Sequence, residues 1–347
     1  MAAQEKLIDG ITQLRFATRC LHAADESGGN IAKKFQQLGI EDTAENRIAY
    51  RGAMITTPGY GDVIGGVILF DETLRQTYEG KTVTDILKRE GVVIGVKVDA
   101  GLQAFGNSKI EQVGKNELAA LPKRMEEYAS KDVRFTKFRV VGNIGQENGK
   151  DLPSDECLKA NAELLAEYAE ICHRFGVVPI VEPEVPMEGS HSMEQCQQAS
   201  LRFLKATFAA LERRKIFLQG VILKTNMVLP GVNGPKAVEA DCIKETISTL
   251  KATVPSNIGA VVFLSGGQAT EDAMRRLEEA RIAATKNGLP YAVSSSFSRA
   301  LQGPALEEFG AAIRDRASAA EIKSRTQAKF AEALKLNGSA LSESAKR

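Results

Sequence analysis

Eight short apolar runs recur along the chain, most of them rich in β-branched residues, and longer stretches with helical spacing separate them. The runs are CLHAADE (20–26), VIGGVILF (63–70), GVVIGVKVD (91–99), VRFTKFRVV (133–141), GVVPIVEPE (176–184), LQGVILKTN (218–226), GAVVFLSGG (259–267) and YAVSSSFS (291–298). Between them, LKANAELLAEYAEICHRFG repeats apolar residues every three or four positions and closes on Gly176. Ser192 to Arg214 reads the same way, and a further helix runs from Glu271 to Gly288. Strands alternating with helices build a parallel sheet, and eight is the number that closes a barrel. The expected fold is therefore α/β, a (β/α)₈ TIM barrel, with residues 1–334 forming a single catalytic domain. An open doubly wound sheet is the rival, but no Gly-x-Gly-x-x-Gly follows the first run. The segment from about Ala317 to Leu334 predicts a final outer helix. Residues 335–347, polar and rich in small side chains, predict a mobile tail.

Composition narrows the partners. The 347 residues carry 45 basic and 44 acidic side chains, a formal net charge of +1. A protein built to hold a nucleic-acid backbone usually shows a basic excess, and none is present. No apolar run reaches membrane-spanning length, and the first twenty residues lack the apolar core of a signal peptide. The expectation is a cytoplasmic protein without a nucleic-acid or membrane partner. The five cysteines (Cys20, Cys157, Cys172, Cys196, Cys242) are widely spaced and read as free thiols of a reducing compartment. The three histidines, His22, His173 and His191, have no zinc-site spacing, so no metal and no cofactor is expected.

Charges interrupt the strands at informative places. Asp25 ends the first run, Lys97 lies at the end of the third, and Lys137 and Arg139 lie in the fourth. Glu182 and Glu184 end the fifth run, Lys224 the sixth, and Ser265 the seventh. Barrel chemistry collects at the C-terminal ends of strands. Alternation puts residues i and i+2 on one face, so Lys137 shares a face with Arg139, and Glu182 with Glu184. For any one of these residues the plain alternative is a strand leaving the core. Lys137 resists that reading, because it sits mid-strand among apolar and aromatic neighbours and needs a partner there.

Lysines facing carboxylates, without histidine or metal ligands, suit amine catalysis on a carbonyl. A lysine titrates near 10.4 in water, so attack near neutral pH requires a shift of about three units, roughly 4 kcal/mol. An apolar wall and a nearby ammonium both push that way. Lys224, in VILKTN, has the wall, and Lys137 is the candidate ammonium. Glu182 and Glu184 are placed to move protons at the carbinolamine and imine.

Two later motifs suit phosphate. Ser265-Gly266-Gly267 follows the seventh run and leads into a helix, and Ser298-Arg299 follows the eighth. Glycine lets backbone N–H groups approach an anion, and arginine forks onto phosphate oxygens. Barrels frequently hold phosphate at this pair of loops. Lys97 with Lys34 would suit a phosphate at the other end of the substrate.

The segments AADESGGNIAKK, GGVILFDETL, GVKVDAGL, VPIVEPEV, LKTNMVLPG and FLSGGQ together resemble the class I fructose-bisphosphate aldolases, over about Ala17 to Leu306. The resemblance implies that Lys224 is the Schiff-base lysine and Glu182 the main acid/base residue. It implies that Lys137 tunes the Lys224 nitrogen, with Glu184 in its hydrogen-bond network, and that Asp25 handles the hydroxyl proton at the bond being cleaved. Ser265, Gly266, Gly267 and Arg299 would hold the dihydroxyacetone-side phosphate. Lys97 and Arg139, with Ser27 nearby and Lys34, would face the other. The implied reaction is reversible cleavage of fructose 1,6-bisphosphate, a phosphorylated ketose, by a homo-oligomer that is commonly a tetramer. The same chemistry on fructose 1-phosphate or sedoheptulose bisphosphate is one rival, and an interaction role in cytoskeleton binding or adhesion on this scaffold is another. The chain departs from the family pattern at Ser298, where glycine is usual, at Phe138, where tryptophan is usual, and at Lys34, where arginine is common. It also ends in Ser-Ala-Lys-Arg, without the terminal tyrosine of animal members.

Overall fold

A computed structural model describes residues 3–343. The eight predicted runs supply the eight strands of one closed parallel barrel: β1 Cys20–Ala24, β2 Ile64–Leu69, β3 Val93–Lys97, β4 Val133–Val141, β5 Val178–Glu184, β6 Ile222–Thr225, β7 Ala260–Phe263 and β8 Val293–Phe297. Each strand pairs with its successor, and β8 closes onto β1 through Leu21↔Ser296 and His22↔Phe297.

Alternation sorts each strand into two faces. On β4, Phe138 and Val140 join the apolar layer between strands and outer helices, while Phe135 points inward. Thr136 faces the same outer layer and meets the Tyr168 hydroxyl at 2.8 Å. Inside the barrel, Phe135, Val178, Ile180, Ile222, Ala260 and Val262 form an apolar floor with Leu21 and Ile68. The helix Ala3–Leu14 plugs that floor from below with Leu7 and Leu14. Its approach is close enough that a Cβ on Gly65 would lie 2.0 Å from the Leu14 carbonyl oxygen.

The outer helices begin and end where local chemistry dictates. The Ser154 hydroxyl accepts from the Cys157 N–H at the start of Asp155–Arg174. Ser192 and Gln195 form a reciprocal capping box on Met193–Arg213. Gly176 and Gly288 follow two helix ends at φ +65° and +66°, a conformation that favours glycine. Among the described residues no helix is long and apolar enough to cross a membrane. All five cysteines are buried free thiols.

The expected mobile tail is corrected. The last helix runs from Ala319 to Glu343, so residues 335–343 are helical; residues 344–347 lie outside the described residues. Ala340, Leu341 and the polar Asn337 are buried, and the Asn337 side-chain nitrogen lies 3.4 Å from the Ser295 hydroxyl of β8. Small residues occur here because the helix packs closely: a Cβ on Gly338 would lie 3.2 Å from Val63. Arg281 ties the helix end down, donating to the main-chain oxygens of Leu341, Ala17 and Val293. Replacing Leu341 by alanine should cost about 2–4 kcal/mol of stability. Urea unfolding measures this, and an unchanged midpoint would restore the mobile-tail reading.

Candidate active site

Every site residue expected from the sequence lines one cavity of about 620 Å³ at the C-terminal mouth of the barrel. Strand register brings them together. Lys97 pairs with Lys137, and Arg139 pairs with Glu182. Val181 pairs with Leu223, so Glu182 lies one rung on, level with Lys224.

The result is a mouth in which four cations meet four carboxylates. Lys137 Nζ lies 2.7 Å from Asp25, 3.2 Å from Glu182 and 3.6 Å from Asp99. Lys224 Nζ lies 3.1 Å from Glu182 Oε1, and Lys97 Nζ lies 2.9 Å from Asp99. Arg139 Nε donates to Glu184. Lys137, Glu182 and Lys224 are each 3–4 % exposed, so none of these charges is left to solvent. Glu182 Oε2 is within ion-pair reach of Lys137 but accepts no aligned hydrogen bond, which leaves it acceptor capacity.

The pairing decides the protonation states. Burial by itself would push the Asp25 carboxyl up, but the charges of Lys137, Lys224 and Lys97 outweigh it and hold Asp25 well below the usual carboxylate range. Burial would likewise push Lys137 down, and Asp25, Glu182 and Asp99 together hold it well above the usual lysine range. Arg139 is also held up, Glu184 outweighing its burial. The resting mouth thus contains a fixed ammonium at Lys137, an ionised Asp25 and a buried Lys224 whose nitrogen faces a carboxylate.

The phosphate motifs fall where barrels place them. Gly266 and Gly267 have φ of +56° and +91°, and Gln268 N–H closes the turn onto the Ser265 carbonyl. A Cβ on Gly267 would lie 2.7 Å from Arg299 Nη1, so the turn and the guanidinium are in contact only because Gly267 has no side chain. The helices Thr270–Lys286 and Arg299–Arg314 both start at this side of the mouth. Across the barrel Lys97 and Arg139 line the cavity from β3 and β4, while Ser27 and Lys34 line it beyond β1, next to β8, with Lys34 Nζ 2.7 Å from Glu26.

Three carboxylates here escaped the sequence reading: Glu188, which lines the cavity, and two with ion-pair partners. Asp99 bridges Lys97 and Lys137 and accepts the Arg139 backbone N–H at 3.3 Å. Its signal was present, because it stands two positions beyond Lys97. Glu26 follows Asp25 directly and carried no separate signal. Hairpins of two or three residues per strand were also missed, such as Leu102–Ala104 with Gln112–Gly114 and Gly145–Glu147 with Lys150–Leu152. They are too short and too exposed to show periodicity.

The profile of the family "Fructose-bisphosphate aldolase class-I" matches residues 6–346. The chain belongs to this family. It is 42 % identical over 287 residues to a probable fructose-bisphosphate aldolase class 1 of Xanthomonas campestris, covering 82 % of this chain and 84 % of the relative. It is 41 % identical over 290 residues to fructose-bisphosphate aldolase 4, cytosolic, of Arabidopsis thaliana, covering 83 % and 72 %. The solved fructose-bisphosphate aldolase of Plasmodium falciparum, in complex with TRAP and an inhibitor, superposes with a TM-score of 0.90 at 34 % identity, covering 98 % and 94 % of the two chains.

Two of the departures from the aldolase pattern, Ser298 and Phe138, are accommodated. Ser298 has φ −108°, outside the left-handed region that favours glycine, and its hydroxyl accepts from Gln302 Nε2 at 2.8 Å. Phe138 points away from the mouth and packs on Tyr168 with ring centroids 5.3 Å apart.

Replacing Lys137 by methionine would leave Asp25 and Glu182 buried beside one cation fewer. The expected cost at pH 7 is about 3–5 kcal/mol, the penalty for breaking a buried pair. In the parent, the depressed Asp25 carboxyl contributes stability above its unfolded pKa that is lost as pH falls through the folded value. In the variant the largest lowering charge is gone while burial remains, so the Asp25 carboxyl rises and its stabilising contribution shrinks. The difference in unfolding free energy should shrink between pH 7 and 4; a constant difference would show that Lys137 does not hold these carboxylates.

Proposed function

We propose that the chain catalyses reversible cleavage of fructose 1,6-bisphosphate to dihydroxyacetone phosphate and glyceraldehyde 3-phosphate, in glycolysis and gluconeogenesis, through an imine on Lys224. The observation that carries this reading is the buried Lys224 amine 3.1 Å from a carboxylate that a second, fixed ammonium also holds. Glu182 accepts the proton that Lys224 must lose, and the freed amine adds to the C2 ketone. Glu182 then protonates the departing hydroxyl, and water leaves as the protonated imine forms. The C3–C4 bond breaks with its electron pair drawn toward the imine nitrogen. The C4 hydroxyl proton passes to Asp25 as the aldehyde forms. Protonation of the enamine at C3 and addition of water release dihydroxyacetone phosphate and restore the lysine.

Asp25, 2.7 Å from Lys137, is a weak base at rest. It receives the hydroxyl proton only as that oxygen turns into a carbonyl and becomes far more acidic. Lys137 keeps Asp25 ionised and holds Asp25 and Glu182 at fixed positions. Glu184 holds Arg139. Ser265, Gly266, Gly267 and Arg299 bind the phosphate of the dihydroxyacetone half; Lys97, Arg139, Ser27 and Lys34 bind the other. Cationic groups on both sides of the cavity favour a bisphosphate over fructose 1-phosphate. A purely interaction role would leave eight paired charges in the mouth without a use, although burying them is costly.

Borohydride reduction in the presence of fructose 1,6-bisphosphate should leave a three-carbon or six-carbon phosphorylated adduct on Lys224, mapped by mass spectrometry; an adduct on another lysine, or none, overturns the reading. Lys224→Ala should lower kcat at least about a thousandfold. Arg299→Ala should raise KM about tenfold, the equivalent of ~1.4 kcal/mol, with a smaller effect on kcat. The imine is the electron sink, so no metal is needed on this reading and a chelator leaves the rate unchanged. A cytosolic location and a homo-oligomer, a tetramer by family resemblance, go with the same reading, and the relative named cytosolic supports the first. Sedimentation equilibrium should return about four times the mass of 37.5 kDa; a monomer overturns the assembly.

A further inference from the structure

Behind β1 a chain of buried polar groups leads from the outer helices to the rim of the cavity. His22, fully buried on β1, has Nδ1 3.0 Å from the Tyr60 hydroxyl and Nε2 3.2 Å from Gln302 Oε1. The Gln302 amide nitrogen donates to Glu26 Oε1 and, at 2.8 Å, to the Ser298 hydroxyl. Lys34 Nζ donates to the same Glu26 oxygen at 2.7 Å. Arg51 grips the Glu26 main chain from the other side, donating to its carbonyl at 2.8 Å.

The polarity of this chain has one consistent solution. A carboxylate only accepts, so the Gln302 amide must turn its NH₂ toward Glu26 and its oxygen toward His22. The His22 proton then sits on Nε2, and Nδ1 accepts from Tyr60. Burial supports both assignments. It pushes the His22 imidazole down to about 4, so the ring is neutral with one donor and one acceptor, and it holds the Tyr60 phenol well above its usual range, so the hydroxyl keeps its proton. The ring is clamped by Tyr60 and by Phe330 of the last helix, at centroid distances of 5.9 and 5.2 Å. The imidazole therefore has neither a second tautomer nor room to turn.

We propose that His22, acting through Gln302, sets the orientation of the Glu26 carboxylate and so the place of Lys34 at the cavity rim. His22 and Gln302 are positioning residues for the phosphate end that meets Lys34, and neither lines the cavity. The inference rests on the assignment of Lys34 to the phosphate remote from the dihydroxyacetone half. Without the Nε2–H donor, the buried Gln302 oxygen loses the His22 contact that anchors it. The side chain then shifts to regain a partner, and its hold on the Glu26 carboxylate loosens.

The test compares fructose 1,6-bisphosphate with fructose 1-phosphate, which lacks the phosphate in question. His22→Leu removes the donor, His22→Gln keeps a donor of similar reach, and Gln302→Met removes the amide if His22→Leu does not fold. His22→Leu should raise KM for the bisphosphate about tenfold while kcat moves less than about twofold. KM for fructose 1-phosphate should stay unchanged, and His22→Gln should recover most of the loss. Equal rises for both substrates, or none for the bisphosphate, overturn the inference. Lys34→Ala separates the two layers. If it raises KM for the bisphosphate and the His22 and Gln302 variants do not, only the inference fails. If Lys34→Ala also leaves KM unchanged, the phosphate assignment fails and the inference with it.

Discussion

The ammonium of Lys137 is the contact on which the mouth of the barrel is organised. Asp25 follows β1, Asp99 follows β3 and Glu182 lies on β5, yet all three carboxylates converge on one nitrogen of β4. A buried charge is tolerated only with partners, so the fold and the site share a single condition. A one-residue slip of β4 would turn Lys137 outward among Phe and Tyr side chains and leave three carboxylates unneutralised. The register of the barrel is thereby tied to the electrostatics of its mouth.

Strands β3 to β6 grade from apolar to charged along their inner faces in the direction of the chain. On β4, Phe135 belongs to the floor, while Lys137 and Arg139 belong to the cavity. The floor stabilises without taking part in chemistry, and the charged rung above it is held rigid by packed side chains below. This division matches the general separation of stability and activity between the two ends of a barrel. It also explains how Lys224 is buried without being buried in hydrocarbon: one rung above Ile222, it leaves the apolar layer and meets Glu182.

Much of this was legible in the residues. The strands were visible because they are largely buried on both faces, and most read as nearly continuous apolar runs. The site was visible because a charge inside such a run must meet a partner or reach a solvated mouth. What escaped did so for physical reasons. Asp99 lies just past its strand, where an acidic residue looks like ordinary solvation. Glu26 meets Lys34 and Gln302, and Gln302 is distant in sequence. The segment beyond Leu334 has the small, polar composition of a linker, but in a helix lying close against Val63 and β8 small residues are a packing requirement. His22 drew attention only as an unsuitable metal ligand; its partners Tyr60 and Gln302 lie 38 and 280 positions away.

The plugged floor has a consequence for traffic. A chamber with one doorway cannot take in reactant on one side and discharge fragments on the other. On the imine reading, the aldehyde fragment must depart through the same opening by which the sugar came in. The other fragment stays tethered meanwhile, and the water that frees it can follow only once that passage has cleared. The order of release then follows from the tether, and the shared passage from Leu7 and Leu14 at the far end of the barrel from any reacting atom.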